Sequence, residues 1–242
     1  MKLLCLPCAG ASATMYFRWR RLLPAWIEVV PLELPGRGSR IAEPAVREFD
    51  ALATRLVESL ASGRHGSGPY ALFGHSMGAL LAHGIARRLH AQGAPLPQAL
   101  LVSAAAAPSR RAGEHFPAAG DSAALTAELR RHGGTPDELF SNPELLGMTL
   151  DLLDADYRVC ESYRYRPAPP LPLPIHVFAG REDDIDEPCL RAWWDESGRE
   201  STLDWFHGGH FYLRESESAL LHRIAACLRR ARVSPPDSTV CA

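Results

Sequence analysis

Gly74-His75-Ser76-Met77-Gly78 joins a short apolar run, Tyr70-Ala71-Leu72-Phe73, to a longer one at residues 79–89. The first run reads as a buried strand and the second as a helix. Few sequences can turn from strand to helix in so little chain. Glycine at both flanks permits it, because the backbone at the serine is strained and a side chain at either flank would strike neighbouring chain. A free serine hydroxyl is a poor nucleophile, so the bend gains chemical meaning only with a base and an acid nearby.

Strand and helix patterns alternate around this bend. Strands are predicted at 2–6, 27–34, 70–73, 99–105, 175–179 and 202–206, with further helices at 14–23, 49–60, 188–194 and 218–230. Such alternation predicts a mostly parallel central sheet flanked by helices. Between 108 and 173 it stops. Asp121 or Ser122 can cap a helix over 123–131 that Gly133 ends, and Ser141 or Asn142 before Pro143 opens another running to residue 163. The proline-rich stretch 167–174 leads back to the sheet as a stiff connector. Strand, G-x-S-x-G and helix in this setting predict the α/β-hydrolase fold. We expect a core at 1–107 and 174–232, an inserted helical lid at 108–173 and a flexible tail at 233–242. Leu125, Leu129, Leu139, Phe140, Leu145, Leu146, Met148 and Leu152 are candidates to line an acyl groove under that lid; plain packing is the competing reading for each.

In this fold the acid and then the histidine follow the serine along the chain. After 99–105 no carboxylate comes at once, whereas Gly180-Arg181-Glu182-Asp183-Asp184 follows the next strand. Asp183 fits the turn best, with Asp184 and Asp186 as rivals. Phe206-His207-Gly208-Gly209-His210 follows the last strand. His210 lies beyond a glycine pair that can carry it to the serine, and His207 is its rival. The side chain of His75 should point away from so tight a bend. An oxyanion hole needs two backbone N–H groups: one from Met77, the other from the loop Pro7-Cys8-Ala9-Gly10-Ala11-Ser12, with Ala9 nearest and Cys8 second.

Other classes are disfavoured. A formal net charge of −2 argues against nucleic acid as a partner, and no segment is long and apolar enough to span a membrane. The first residues are too short and too proline-broken for a signal peptide, so the cytoplasm is expected. Cys5-Leu6-Pro7-Cys8 matches C-x-x-C but lies in a strand pattern, not at a helix start, and no further cysteine or histidine has zinc-site spacing. No metal or other cofactor is expected.

Leu6-Pro7-Cys8-Ala9-Gly10-Ala11-Ser12-Ala13, Leu34-Pro35-Gly36-Arg37-Gly38, Gly74-His75-Ser76-Met77-Gly78, Phe178-Ala179-Gly180-Arg181-Glu182-Asp183 and Gly208-Gly209-His210-Phe211 together resemble the type II thioesterases of nonribosomal peptide and polyketide synthesis. The resemblance covers residue 2 to about 230. It implies Ser76, Asp183 and His210 as a triad, Ala9 and Met77 as oxyanion donors, and 108–173 as the lid. It further implies editing: hydrolysis of wrong acyl groups from the phosphopantetheine arm of acyl or peptidyl carrier proteins. A monomer is expected. A siderophore cluster such as that for pyochelin is one setting it admits. The family pattern has histidine and a second glycine where this chain has Cys8 and Ala11. Arg18, Arg20, Arg21, Arg37 and Arg40 form a candidate docking face for acidic carriers, against the simpler reading of solvated arginines. The competing functions are a medium-chain acyl thioesterase, a small carboxylesterase and an inactive carrier-binding module.

Overall fold

The computed structural model describes residues 1–63, 68–133, 135 and 137–233. Strands β1 (Lys2–Leu6), β2 (Glu28–Pro31), β3 (Tyr70–His75), β4 (Leu100–Ser103), β5 (Ile175–Gly180) and β6 (Ser201–Phe206) form one sheet, ordered β2-β1-β3-β4-β5-β6. All its pairings are parallel. The helices are α1 (Trp19–Leu22), α2 (Phe49–Ala61), α3 (Met77–Ala91), α4 (Ser122–His132), α5 (Asp137–Phe140), α6 (Pro143–Ser162), α7 (Glu187–Arg191), α8 (Tyr212–Glu215) and α9 (Glu217–Val233). None is long and apolar enough to cross a membrane among the described residues.

The central strands are apolar throughout because both faces are covered. Leu4, Leu6, Leu72, Leu100 and Val102 pack in one layer with α2, α3 and the end of α6. Their neighbours Leu3, Cys5, Ala71, Phe73 and Leu101 pack in the other, with Trp19 of α1 and Leu220, Ile224 and Leu228 of α9. The chain leaves β1 for β2 on one side and returns to β3 on the other. Connections diverge there, and the carboxyl ends of β1 and β3 border the crevice where such sheets bind ligands.

Several elements differ from expectation. The helix predicted over 14–23 is broken into a 3₁₀ turn, Ala13–Tyr16, and the short α1. The break lets Tyr16 and Trp19 both bury against Phe73, with ring centroids 5.8 and 5.0 Å from it. The second strand ends at Pro31, short of the predicted residue 34, although the Leu32 amide still donates to the Cys5 carbonyl at 2.8 Å. The helix expected over 188–194 becomes α7 followed by a 3₁₀ segment, Ala192–Glu196. There Trp193 Nε1 donates to the carbonyl of Ala105 at 2.9 Å. Helices α5 and α8 were not foreseen; both are single turns. Val233, expected in the tail, closes α9, and 234–242 lie outside the described residues.

The segment between β4 and β5 is helical, and its caps come from the foreseen residues. Asp121 accepts from the Ala124 amide at 3.0 Å and Asn142 from the Leu145 amide at 3.1 Å. The two readings of this insertion divide along α6. Its last turns join the core through Val159 and Cys160, with Ser162 Oγ accepting from the Phe49 amide at 2.8 Å. Its middle forms a separate cluster, Leu150, Leu153 and Tyr157 with Leu125 of α4, against Ala9 and Phe116.

Candidate active site

Ser76 sits between β3 and α3 with φ 55 and ψ −117, a conformation that L-residues rarely adopt. The Ser103 carbonyl takes its N–H at 2.8 Å. Its flanks are tight: a Cβ on Gly74 would lie 2.0 Å from the carbonyl oxygen of Gly78, and one on Gly78 would lie 2.3 Å from that of Leu6. The second contact is with β1, so Gly78 sets how closely the elbow approaches the loop after β1. We predict that Gly78→Ala lowers unfolding free energy by more than about 3 kcal/mol, since only backbone movement relieves the overlap. Urea denaturation measures this; a loss below about 1 kcal/mol rules the tight-elbow account out.

Asp183 follows β5, and its side chain is only 7% exposed. Its Oδ2 and Oδ1 lie 3.0 and 3.3 Å from Nδ1 of His210. Gly180 lets the two loops meet, because a Cβ there would be 2.3 Å from the carbonyl oxygens of both Gly208 and Gly209. The rivals make other contacts. Asp184 reaches outward to Arg131 at 2.9 Å, Asp186 precedes α7, and His207 is exposed beside Glu182. Glu182, not singled out beforehand, accepts the Gly208 amide at 2.5 Å and so shapes the loop that carries His210.

His75 does point away from Ser76's side of the bend. It is fully buried, its Nδ1 is hydrogen-bonded to Ser103 Oγ at 2.9 Å, and that hydroxyl is hydrogen-bonded to Tyr212 Oη at 2.6 Å. Its ring packs 5.2 Å from that of His210, between centroids. This polar stack forms a floor under His210. Burial pushes the Tyr212 phenol well up, which keeps it neutral.

Ser76, Met77, Cys8, Ala9, Asp183 and His210 all line one cavity of about 580 Å³. Among the described residues, neither the Ala9 nor the Met77 amide is hydrogen-bonded to the chain itself. Met77 opens α3, where N–H groups lack intrahelical acceptors and favour negative charge. Burial, helped by the Asp156 carboxylate, pushes the Cys8 thiol up to about 12, so it stays protonated and is no competing nucleophile. Cys5 is buried too and pairs with no cysteine among the described residues.

The groove candidates divide. Leu129 and Leu139 line the cavity, together with Phe116, Leu153 and Tyr157, which were not singled out. Leu125 is buried in the cluster behind it with Leu146 packed against that cluster, Phe140 lies beneath the Arg130 guanidinium at 4.2 Å, and Leu145 and Met148 are half exposed; none of these five, nor Leu152, lines the cavity. Periodicity identifies apolar positions but not which side of a short helix faces inward.

The docking arginines divide as well. Arg18 and Arg21 are exposed, Arg18 with Glu217 at 3.2 Å. Arg20 lies over Phe17, and Arg40 is held by Glu43 at 2.6 Å. Arg37 is not on the surface. It is 3% exposed and grips Asp156 through two nitrogens, at 2.6 and 2.7 Å. The expectation of a docking role for it is therefore corrected: a guanidinium facing a buried carboxylate has no reach to a partner.

A parallel sheet, a serine at a strained strand–helix elbow and an Asp–His pair at the adjoining strand ends define an α/β-hydrolase. The model of the thioesterase domain matches residues 1–228. The chain belongs to the thioesterase family and is a hydrolase of thioesters. It is 33% identical over 243 residues to the thioesterase PikA5 of Streptomyces venezuelae, spanning 99% of this chain and 85% of that one. Its fold is similar to RedJ, a thioesterase of the prodiginine pathway in Streptomyces coelicolor, at 34% identity and a TM-score of 0.87 over 93% of this chain and 89% of that one. It is also similar to the type II thioesterase BorB of the borrelidin cluster, at 42% identity and 0.82 over 93% and 91%.

Proposed function

We propose that this chain is a type II thioesterase that removes wrongly loaded acyl groups from the carrier domains of a peptide or polyketide synthase, using Ser76, His210 and Asp183. The observation that carries the reading is the Asp183–His210 pair at the wall of the cavity that the Ser76 elbow also lines. His210 takes the serine proton as Oγ attacks the thioester carbonyl. Asp183 holds the imidazole and stabilises its charged form. The Ala9 and Met77 amides receive the negative oxygen. The leaving thiol has a pKa near that of cysteine, about 8.5, so it departs with little help. Water activated by His210 then frees the acid. Each step is supplied by side chains and amides, without a cofactor. Under this reading the insertion carrying Leu129, Leu139, Leu153 and Tyr157 serves as the lid.

The carrier as partner is supported by the named pathways of the similar proteins and by the cavity rim. Thr14 and Met15 line the cavity, and the chain runs from them to the exposed Phe17, Arg18 and Arg21. Under this reading those cationic groups, a few residues along the chain from the cavity wall, meet an acidic carrier. The test compares an acyl carrier protein, the same acyl group on pantetheine, and its simple oxygen ester. The carrier should give the highest kcat/KM. Arg18→Glu with Arg21→Glu should raise KM for the carrier about tenfold and leave that for acyl-pantetheine within twofold. Equal effects on both would reject the docking face; preference for the oxygen ester would reject editing.

A further inference from the structure

Gly10 has φ +72, and a glycine with that freedom does not hold the peptide beside it in one orientation. Within the loop after β1 the Ala11 amide donates to the Cys8 carbonyl at 3.2 Å, and the turn so closed is held from outside. The Gly10 amide donates to Asp156 Oδ2 at 2.8 Å, and Nη1 of Arg37 donates to the Ala11 carbonyl at 3.0 Å. The same Arg37 forks onto both oxygens of Asp156, with side chains 3% and 1% exposed. One carboxylate and one guanidinium therefore grip the first and the third of the peptide groups that follow Ala9. Asp156 lies on α6, the helix that also presents Leu153 and Tyr157 to the cavity. A Cβ on Gly10 would touch Leu153 Cδ1 at 3.4 Å, so loop and helix are in contact there as well.

A buried ion pair rarely adds stability over apolar side chains of similar volume. Its advantage is direction: a carboxylate accepts an N–H at a fixed angle, and the planar fork keeps that carboxylate from turning. We propose that Arg37 and Asp156 are positioning residues for thioester hydrolysis, orienting the Ala9 amide by clamping the peptides after it and tying that amide to α6. The inference rests on the proposed reading of Ser76 as nucleophile and Ala9 as oxyanion donor. Neither residue touches substrate.

The test uses the full chain with Asp156→Asn, and with Arg37→Met combined with Asp156→Leu. The second variant removes both buried charges together, so it folds even where a lone unpaired guanidinium would not. For both, kcat on acyl-pantetheine should fall about 10–100-fold with KM within twofold, the loss expected of a misplaced rather than missing donor. Affinity for an alkylboronic acid, which forms a tetrahedral adduct on serine, should fall by the same factor. A merely structural role would lower the melting temperature and leave kcat per folded molecule and boronate affinity unchanged. Wild-type kcat in a folded variant, or a change confined to KM, overturns the proposal. Ser76→Ala run alongside separates the two readings. If it is inactive while both pair variants are normal, only the positioning role fails; if it is active, the site itself has been misread.

Discussion

Ser76→Ala lowers thioester hydrolysis by about 10⁴–10⁶, to the residual rate that a preorganised site without a nucleophile supplies. The hydroxyl is the only atom lost. The elbow keeps its shape because alanine has the same Cβ, and the clashes that define the turn involve Gly74 and Gly78. The Asp183–His210 pair and the amides of Ala9 and Met77 are untouched. The melting temperature should therefore stay close to that of the wild type, and acyl carrier protein should still bind. Thiol release from acyl-pantetheine, followed with a disulfide reagent, measures the rate. Activity above about 1% of wild type would mean that water attacks directly, and the serine mechanism would be wrong.

How much of this could be read beforehand depended on whether the signal was local. The strands were legible because β1, β3, β4 and β5 are buried on both faces and so read as unbroken apolar runs. The elbow was legible because two glycines and a serine must stand at fixed spacing. Asp183 followed from the absence of any carboxylate just after β4, and His210 from its place beyond the last strand. Residues defined by distant partners were not legible. Arg37 meets Asp156 from 119 positions away, and a charged residue read alone defaults to the surface. His75 finds Ser103 and then Tyr212 through contacts between β3, β4 and the turn after β6. Glu182 looked like one more member of an acidic loop, yet it holds the Gly208 amide. The break before α1 was hidden for a similar reason: the spacing of residues 14–23 suits a helix, but burying Tyr16 and Trp19 on one ring system outweighs it.

Asp183→Asn should cost about 10⁴ in kcat although it changes one atom, because that atom decides where the histidine proton sits. In the native site Oδ1 also accepts the Asp184 amide at 2.9 Å. Asparagine keeps that bond by leaving its carbonyl oxygen there. Its NH₂ then takes the place of Oδ2, 3.0 Å from Nδ1 of His210. Two donors cannot face each other, so Nδ1 becomes the acceptor and the proton moves to Nε2. The nitrogen facing away from Asp183 then has no lone pair with which to take the serine proton. Asp184→Asn is the control: that carboxylate is exposed and pairs with Arg131, and its loss should change kcat less than about twofold. Because the triad acts as a unit, adding Asp183→Asn to Ser76→Ala should lower the rate no further. Steady-state hydrolysis by the four variants decides the assignment. If Asp183→Asn retains more than a tenth of wild-type kcat while Asp184→Asn does not, the acid has been placed one residue too early. If both are fully active, His210 is oriented by something other than a carboxylate.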